Sequence, residues 1–92
     1  MTPEDRIEAT ARMLLEAARE LQFFVSGDGR VSEPDAAELL GYKPKYLGQM
    51  RSEGKGPPAY AVGLAGCRVS YRLVDMAAWI EGHREFFDVD SG

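Results

Sequence analysis

The stretch AAELLGYKPKYLGQMRSEGKGPP, residues 36–58, decides the fold of this chain because it holds two short helix patterns with a glycine between them. Gly41 ends the first pattern, since glycine tolerates the left-handed conformation that follows many helices. Pro44 opens the second pattern, where a missing backbone N–H costs nothing. Pro57 and Pro58 then prevent that helix from continuing. Two short helices joined by a glycine turn are therefore predicted.

The second of these helices carries the polar side chains of interest. The first helix is predicted from about residue 33 to 40 and is capped by Ser32. In the second helix, residues 43–53, Leu47 and Met50 lie three apart and can face the first helix. Its outward side is then basic and amide-bearing, with Lys43, Lys45, Tyr46 and Gln49. A short exposed helix braced by another across a turn is the helix-turn-helix arrangement.

Charge is segregated along the chain. The whole chain has 11 basic and 15 acidic residues and a formal net charge of −4, which by itself argues against a nucleic-acid partner. Residues 43–72, however, hold six basic residues and one acidic residue, a net charge of +5, which leaves −9 for the rest. Because salt screens charges beyond roughly 10 Å, a local patch matters more than the sum. One part of this acidic chain is a candidate surface for a polyanion.

The N-terminal segment reads as an amphipathic helix. Thr2 is a capping hydroxyl followed by Pro3, and the helix is expected to run to about Gln22 or Phe24. Its apolar stripe recurs at spacings of four and three: Ile7, Ala11, Leu14, Ala18 and Leu21. The stripe has two interpretations, packing on its own domain or a dimer seam with a second copy; it spans only about two heptads.

The remaining segments predict a turn, a β-hairpin and a final helix. Residues 26–30, SGDGR, are a turn by composition. In residues 59–72, apolar residues stand at alternate positions before and after a GLAG segment. This pattern predicts a β-hairpin with Arg68 and Arg72 on its second strand. A closing helix buries Trp79 and carries His83 near its C-terminus. Residues 87–92 are expected to be a flexible acidic tail.

The order of these residues resembles a known family, the small winged-helix DNA-binding proteins of the MerR superfamily, and in particular the excisionase and AlpA-like phage regulators. The resemblance covers about residues 31–84 and rests on AAELLG at 36–41, RSEG at 51–54, GPP at 56–58 and YR at 71–72, together with Leu47, Asp75, Ala78 and Trp79. It implies a mainly α fold with a small β-hairpin, a winged helix-turn-helix preceded by an extra N-terminal helix.

The resemblance also implies duplex DNA as the partner and no cofactor. Helix 43–53 would enter the major groove and hairpin 59–72 would act as a wing. Members of the family excise prophages, regulate phage or mobile-element genes, or load packaging enzymes onto DNA. The chain departs from similar sequences at the start of the second helix, where Lys43 and Tyr46 replace small hydroxyl residues, and at Gly48, Gln49 and Met50. The DNA-binding residues expected from the sequence are Lys43, Lys45, Tyr46, Gln49, Arg51, Lys55, Arg68 and Arg72.

The domain organisation expected from this pattern has three parts: an N-terminal helix at 1–25, a winged helix-turn-helix at 26–86 and the tail at 87–92. Cys67 is the one cysteine and His83 the one histidine, so neither a disulfide nor a multi-residue metal site is expected. Without a nucleophile beside a base, an enzyme is not expected. No membrane-spanning stretch is apparent, and a reducing cytoplasm suits the chain. The alternative function is a protein-interaction adaptor on the same scaffold.

Overall fold

The computed structural model of the 92-residue chain describes residues 2–62, 64 and 66–84. This part of the chain is mainly helical and contains a small antiparallel sheet, which confirms the coarse fold class expected from the sequence. The expected acidic tail, residues 87–92, lies outside the described residues. In chain order the elements are α1 (Pro3–Glu20), β1 (Arg30–Ser32), α2 (Glu33–Leu40), α3 (Pro44–Ser52), β2 (Ser70–Arg72) and α4 (Leu73–Gly82).

Helix α1 begins as predicted and ends earlier than predicted. Thr2 and Asp5 form a reciprocal capping box, in which each side chain accepts a hydrogen bond from the other residue's backbone N–H. The helix ends at Glu20 because Gln22 adopts a left-handed conformation, with a φ of 61°. The N–H of Phe23 then bonds to the carbonyl of Ala18 at 2.9 Å, which closes the helix end.

The apolar stripe of α1 packs on its own domain. Leu14 and Ala18 are buried, and Ile7 and Ala11 pack against the same core. Helix α1 lies antiparallel to α4, and the Thr10 hydroxyl donates to Glu81 Oε2 at 2.9 Å. Leu21, half-exposed beyond the helix end, does not join this packing. Of the two interpretations, the burial of Leu14 and Ala18 supports packing on the chain's own domain, and the dimer seam stays a prediction.

The sheet pairs two segments that are distant in sequence. Strand β1 lies antiparallel to β2, with Arg30 opposite Arg72 and Ser32 opposite Ser70. Strand β1 was not predicted, because three residues are too few to show an alternating pattern and its partner lies about forty residues away. Among the described residues of the expected hairpin at 59–72, pairing within the segment consists of isolated antiparallel bridges, one between Tyr60 and Ser70 and one between Leu64 and Cys67.

The core lies between the helices and one face of the sheet. Its largest fully buried side chains come from different elements: Val31 from β1, Leu47 from α3, Tyr71 from β2 and Met76 from α4. Trp79 was expected in this core, but it is only partly buried. Its ring instead contacts that of His83 in a tilted arrangement, with the ring centroids 4.5 Å apart and an angle of 42° between the planes. The last turn of α4 thus leaves a large aromatic side chain near the surface.

Candidate nucleic-acid interface

The α2–turn–α3 unit is built by local signals that the sequence carries. The Ser32 hydroxyl caps α2, and Gly41 ends it with a φ of 83°. The N–H of Tyr42 bonds back to the carbonyl of Ala37 at 2.8 Å, which completes the glycine-dependent helix end. Pro44 then begins α3. The fully buried side chain of Leu47 holds α3 against the core, so the opposite side of the helix faces solvent.

The outward side of α3 is polar, as the spacing predicted. Lys43, Lys45 and Gln49 are exposed, and Tyr46 is 51 % exposed. The ring of Tyr46 meets that of Tyr42 edge-on, with centroids 5.2 Å apart, which limits the positions it can take. Gln49 Nε2 donates a long hydrogen bond of 3.4 Å to Glu53 Oε2. The amide on this face therefore already has an acidic neighbour one turn away.

Arg51 lies on the side of α3 that faces α2 and is held there by Glu33. Arg51 Nε donates to Glu33 Oε2 at 2.7 Å and a second guanidinium nitrogen donates to Oε1 at 3.3 Å. The buried Tyr71 hydroxyl donates to the same Oε2, also at 2.7 Å. The sequence left open whether Arg51 braces the fold or meets phosphate; in the structure it braces α3 against α2 and β2.

The charges in this cluster support one another. Partial burial works against the charged form of Glu33, but the hydrogen bonds from Arg51 and Tyr71 outweigh it and hold the pKa of the carboxyl below its ordinary value. Burial, followed by the hydrogen bond to Glu33, raises the pKa of Tyr71. Tyr71 therefore keeps its proton and Glu33 stays ionised at neutral pH. The three side chains fix the position of α3 relative to the sheet.

Gly48 lies where α3 approaches Glu33. A Cβ atom built on Gly48 would lie 3.4 Å from Glu33 Oε1, an ordinary van der Waals distance. The glycine leaves the carboxylate open on that side, at a cost in helix propensity of about 1 kcal/mol relative to alanine. An alanine would therefore also fit at this position of the nine-residue helix.

The hairpin segment lies beside the C-terminal half of α3. Tyr60 fixes it to the start of α4 by donating to Asp75 Oδ2 at 2.8 Å, and this hydrogen bond raises the pKa of Tyr60. One cleft of about 390 Å³ is lined by Arg51 and Lys55 on one side and by Tyr60 on the other. A second, of about 570 Å³, is lined by Arg51 and Arg68. Cationic residues from α3 and from the hairpin therefore border the same surface.

The eight expected DNA-binding residues divide by their partners. Within residues 2–62, 64 and 66–84, Lys43, Lys45 and Arg68 form no ion pair. Lys55 Nζ lies 3.7 Å from Glu53 Oε1, and the Lys55 side chain is largely exposed. Arg72 is turned away toward the 26–30 turn, where its Nε donates to the Asp28 carbonyl at 3.2 Å. Arg72, like Arg51, therefore has a structural partner in place of a free cationic head group.

Sequence reasoning did not find Arg30, which links the turn to the hairpin. Its Nε donates to both carboxylate oxygens of Asp28, at 2.9 and 2.8 Å, and its Nη1 donates to the Ser70 hydroxyl at 2.9 Å and to the Val62 carbonyl at 3.2 Å. Hydrogen bonds from Ser26, first, and from Arg30 hold the pKa of Asp28 below its ordinary value. No local signal marks Arg30, because Val62 and Ser70 follow it by more than thirty residues.

No metal or membrane feature appears in the described part of the chain. None of its helices is both long enough and apolar enough to span a bilayer. Nor do three or more of its His, Cys, Asp or Glu side chains come together as metal ligands would. Comparisons with protein-family models, with curated proteins and with solved structures found no match for this chain.

Proposed function

We propose that the chain is a small cytoplasmic protein that binds duplex DNA as a winged helix-turn-helix module and has no catalytic role. In this proposal α3 enters the major groove, and the 59–72 hairpin reaches the flanking backbone as a wing. The class of protein it best fits is a phage or mobile-element transcriptional regulator or an excisionase-like factor. The resemblance of residues 31–84 to that class supports the assignment.

The observation that carries the proposal is the presentation of α3. A short helix, anchored through Leu47 on one side and through Arg51 on another, leaves Lys45 and Gln49 exposed together on its free side. A glutamine amide can both donate to and accept from adenine in the major groove, and lysine suits phosphate. This combination of a braced helix, one amide and an adjacent cation is what major-groove readers use.

Unpaired cations at both ends of this surface support the proposal further. Lys43 stands at the start of α3, and Arg68 stands on the hairpin beside the second cleft. A single module of this size buries on the order of 600–1,000 Å² on DNA, so one copy should bind weakly. Two copies on adjacent sites, or a dimer formed on DNA, would raise the affinity without any change in the module.

The test is fluorescence anisotropy with random and genome-derived duplexes over a salt series. If Lys43, Lys45, Lys55 and Arg68 each contact a phosphate, log K should fall with log[salt] at a slope of about −3 to −4. The variant Lys45→Ala/Gln49→Ala should abolish measurable binding. A matched control is Arg12→Ala/Gln22→Ala, which removes an exposed cation and an exposed amide from the α1 segment and should bind like the wild type. Absence of binding to every duplex at about 50 mM salt would overturn the proposal.

A second candidate function is a protein-interaction adaptor that keeps this scaffold and does not bind DNA. Glu53 favours it, because this exposed carboxylate accepts from Gln49 at 3.4 Å and lies 3.7 Å from Lys55. A carboxylate among these side chains would repel a phosphate backbone. Glu53→Gln discriminates the two candidates: it should strengthen duplex binding by a DNA reader and leave an adaptor without duplex affinity.

A further inference from the structure

A second surface feature lies beside the helix-turn-helix unit. A groove of about 600 Å³ runs between the C-terminal parts of α2 and α4 and the flank of α3. Leu39 and Leu40 line it from α2, Met50 from α3, and Trp79 and Ile80 from α4. We call it the α2–α4 groove. Its walls are mainly apolar, unlike the outward side of α3.

The α2–α4 groove lies beside the proposed DNA surface and shares Lys55 with it, so two ligands would compete for that one lysine. Lys45 and Gln49 do not line it, whereas Met50, on the flank of the same helix, does. A ligand in the groove would therefore contact α3 from the side and leave its exposed amide and lysine free. The groove can serve a second binding event on the same molecule.

The side chains in the groove are those that dominate the energetics of protein interfaces. Trp79 is only partly buried, and its ring contacts the tilted ring of His83, whose Nδ1 lies 2.8 Å from the Trp79 carbonyl oxygen. A partly buried tryptophan offers a large apolar contact area to a partner. Met50 is unbranched and can adjust its shape to a partner.

The lining of the groove contains no acidic residue. Its ionisable side chains are Lys55, His83 and the Tyr42 phenol. The Lys55 side chain is 72 % exposed, and its Nζ lies 3.7 Å from Oε1 of Glu53, which is outside the lining. In a chain with 15 acidic and 11 basic residues, a groove without a carboxylate contrasts with the overall charge. The complementary ligand is apolar at its centre and acidic at its edge.

We propose that the α2–α4 groove binds an acidic segment of a partner protein, one that carries aromatic or large aliphatic side chains. Those side chains occupy the space between Leu40, Met50 and Trp79. Carboxylates on the segment meet Lys55 and His83. This is the groove mode of peptide recognition, in which apolar anchors supply the affinity and charges at the rim supply the selectivity.

The test pans a random twelve-residue peptide library, displayed on phage, against the full-length chain. The expected result is enrichment of sequences that combine aromatic residues with Asp or Glu. A tryptophan-free member is then synthesised and titrated, with the fluorescence of Trp79, the one tryptophan of the chain, as the readout. Binding should change its emission and protect it from acrylamide quenching.

Two charge reversals on exposed lysines separate this groove from a general basic surface. Lys55→Glu should lower the affinity for the selected peptide by at least about tenfold. Lys45→Glu makes the same change on α3 outside the groove and should leave the affinity unaltered. Both lysines are exposed, so the fold should survive each change.

Three results would overturn the proposal. They are a library without any enriched peptide, enriched peptides that lack acidic residues, and an equal loss of peptide affinity in the two lysine variants. Selected peptides that match EFFDVD, the sequence of residues 85–90, would assign the groove to a segment of this chain in place of a partner protein.

Discussion

Gln22 has a backbone conformation that suits glycine better than glutamine. It is the one described non-glycine residue with a positive φ, 61°, and it occupies the left-handed position that ends α1. For an L-residue with a side chain, this conformation costs roughly 1–2 kcal/mol. Its side chain is exposed, so the residue contributes little packing in return. Gln22 is therefore a site where the chain is less stable than it could be.

Replacement of Gln22 by glycine should raise the free energy of unfolding by about 0.5–1 kcal/mol, because relief of the left-handed strain exceeds the entropy that glycine loses on folding. Urea denaturation monitored by circular dichroism measures the change. Gln22→Ala removes the same side chain without the conformational freedom of glycine and should show no gain. Equal stability of the glycine and alanine variants would mean that this φ carries no strain.

Glu33 should make stability depend on pH. Its folded-state pKa lies below the ordinary value of 4.5. The ionised carboxylate therefore contributes to the free energy of unfolding above that pH, and this contribution is lost as the pH falls through the folded-state pKa. Because the Arg51 pair is partly exposed, we expect Glu33→Gln to cost about 1 kcal/mol at pH 7. The difference in the free energy of unfolding between variant and wild type, measured by urea denaturation, should become smaller toward pH 3. A difference that stays constant with pH would contradict an ionic role for Glu33.

At the scale of elements, α1, α2 and α3 all end in the same way. In each, a left-handed residue is followed by a backbone N–H that bonds five residues back: Phe23 to Ala18, Tyr42 to Ala37 and Lys55 to Met50. The left-handed residue is Gln22 in α1, Gly41 in α2 and Gly54 in α3. The two glycines can be recognised as helix ends in the sequence, and the glutamine cannot. This explains why the end of α1 was predicted too late.

Helix α3 should gain stability from Gly48→Ala. Alanine is favoured over glycine inside a helix by about 1 kcal/mol, and the new Cβ would make only an ordinary contact with Glu33 Oε1 at 3.4 Å. A rise in the free energy of unfolding of up to about 1 kcal/mol is expected in chemical denaturation. Gly54→Ala, in the same segment but at a φ of 75°, should instead lower it. A loss in both variants would show that Gly48 is required by its closeness to Glu33.

At the scale of the molecule, one core joins α1 to the rest of the described chain. Leu14 of α1 is buried among side chains from the sheet and from α4, and Ala18 is also buried. The resemblance to winged-helix regulators begins only at about residue 31, so α1 lies outside it. Its packing makes α1 a structural part of the domain.

Leu14→Ala should therefore lower the free energy of unfolding by about 2–5 kcal/mol, with a midpoint independent of protein concentration. Its neighbour Met13 is 68 % exposed, and Met13→Ala should change stability by less than about 0.5 kcal/mol. Denaturation at several protein concentrations, with light scattering, provides the measurement. A midpoint that rises with concentration in the wild type and not in Leu14→Ala would instead support the dimer seam.

The sequence by itself determined the features that depend on neighbouring residues. The capping box at Thr2, the α2 end at Gly41 and the α3 start at Pro44 follow from local backbone chemistry, and the outward position of Lys45 and Gln49 follows from helical periodicity. These features position the expected contact face of α3. They need no information about which distant segments meet.

Only the tertiary structure decided which side chains pair across the fold. The pairing of β1 with β2, the links from Arg51 and Tyr71 to Glu33, and the links from Arg30 to Asp28 and Ser70 join segments that the core brings together. These contacts divide the basic residues into structural braces such as Arg51 and free cations such as Lys45. The partial exposure of Trp79 likewise depends on how α4 packs against α1 and β2. Hydrophobic periodicity marks an apolar side and does not specify how completely the neighbouring elements cover it.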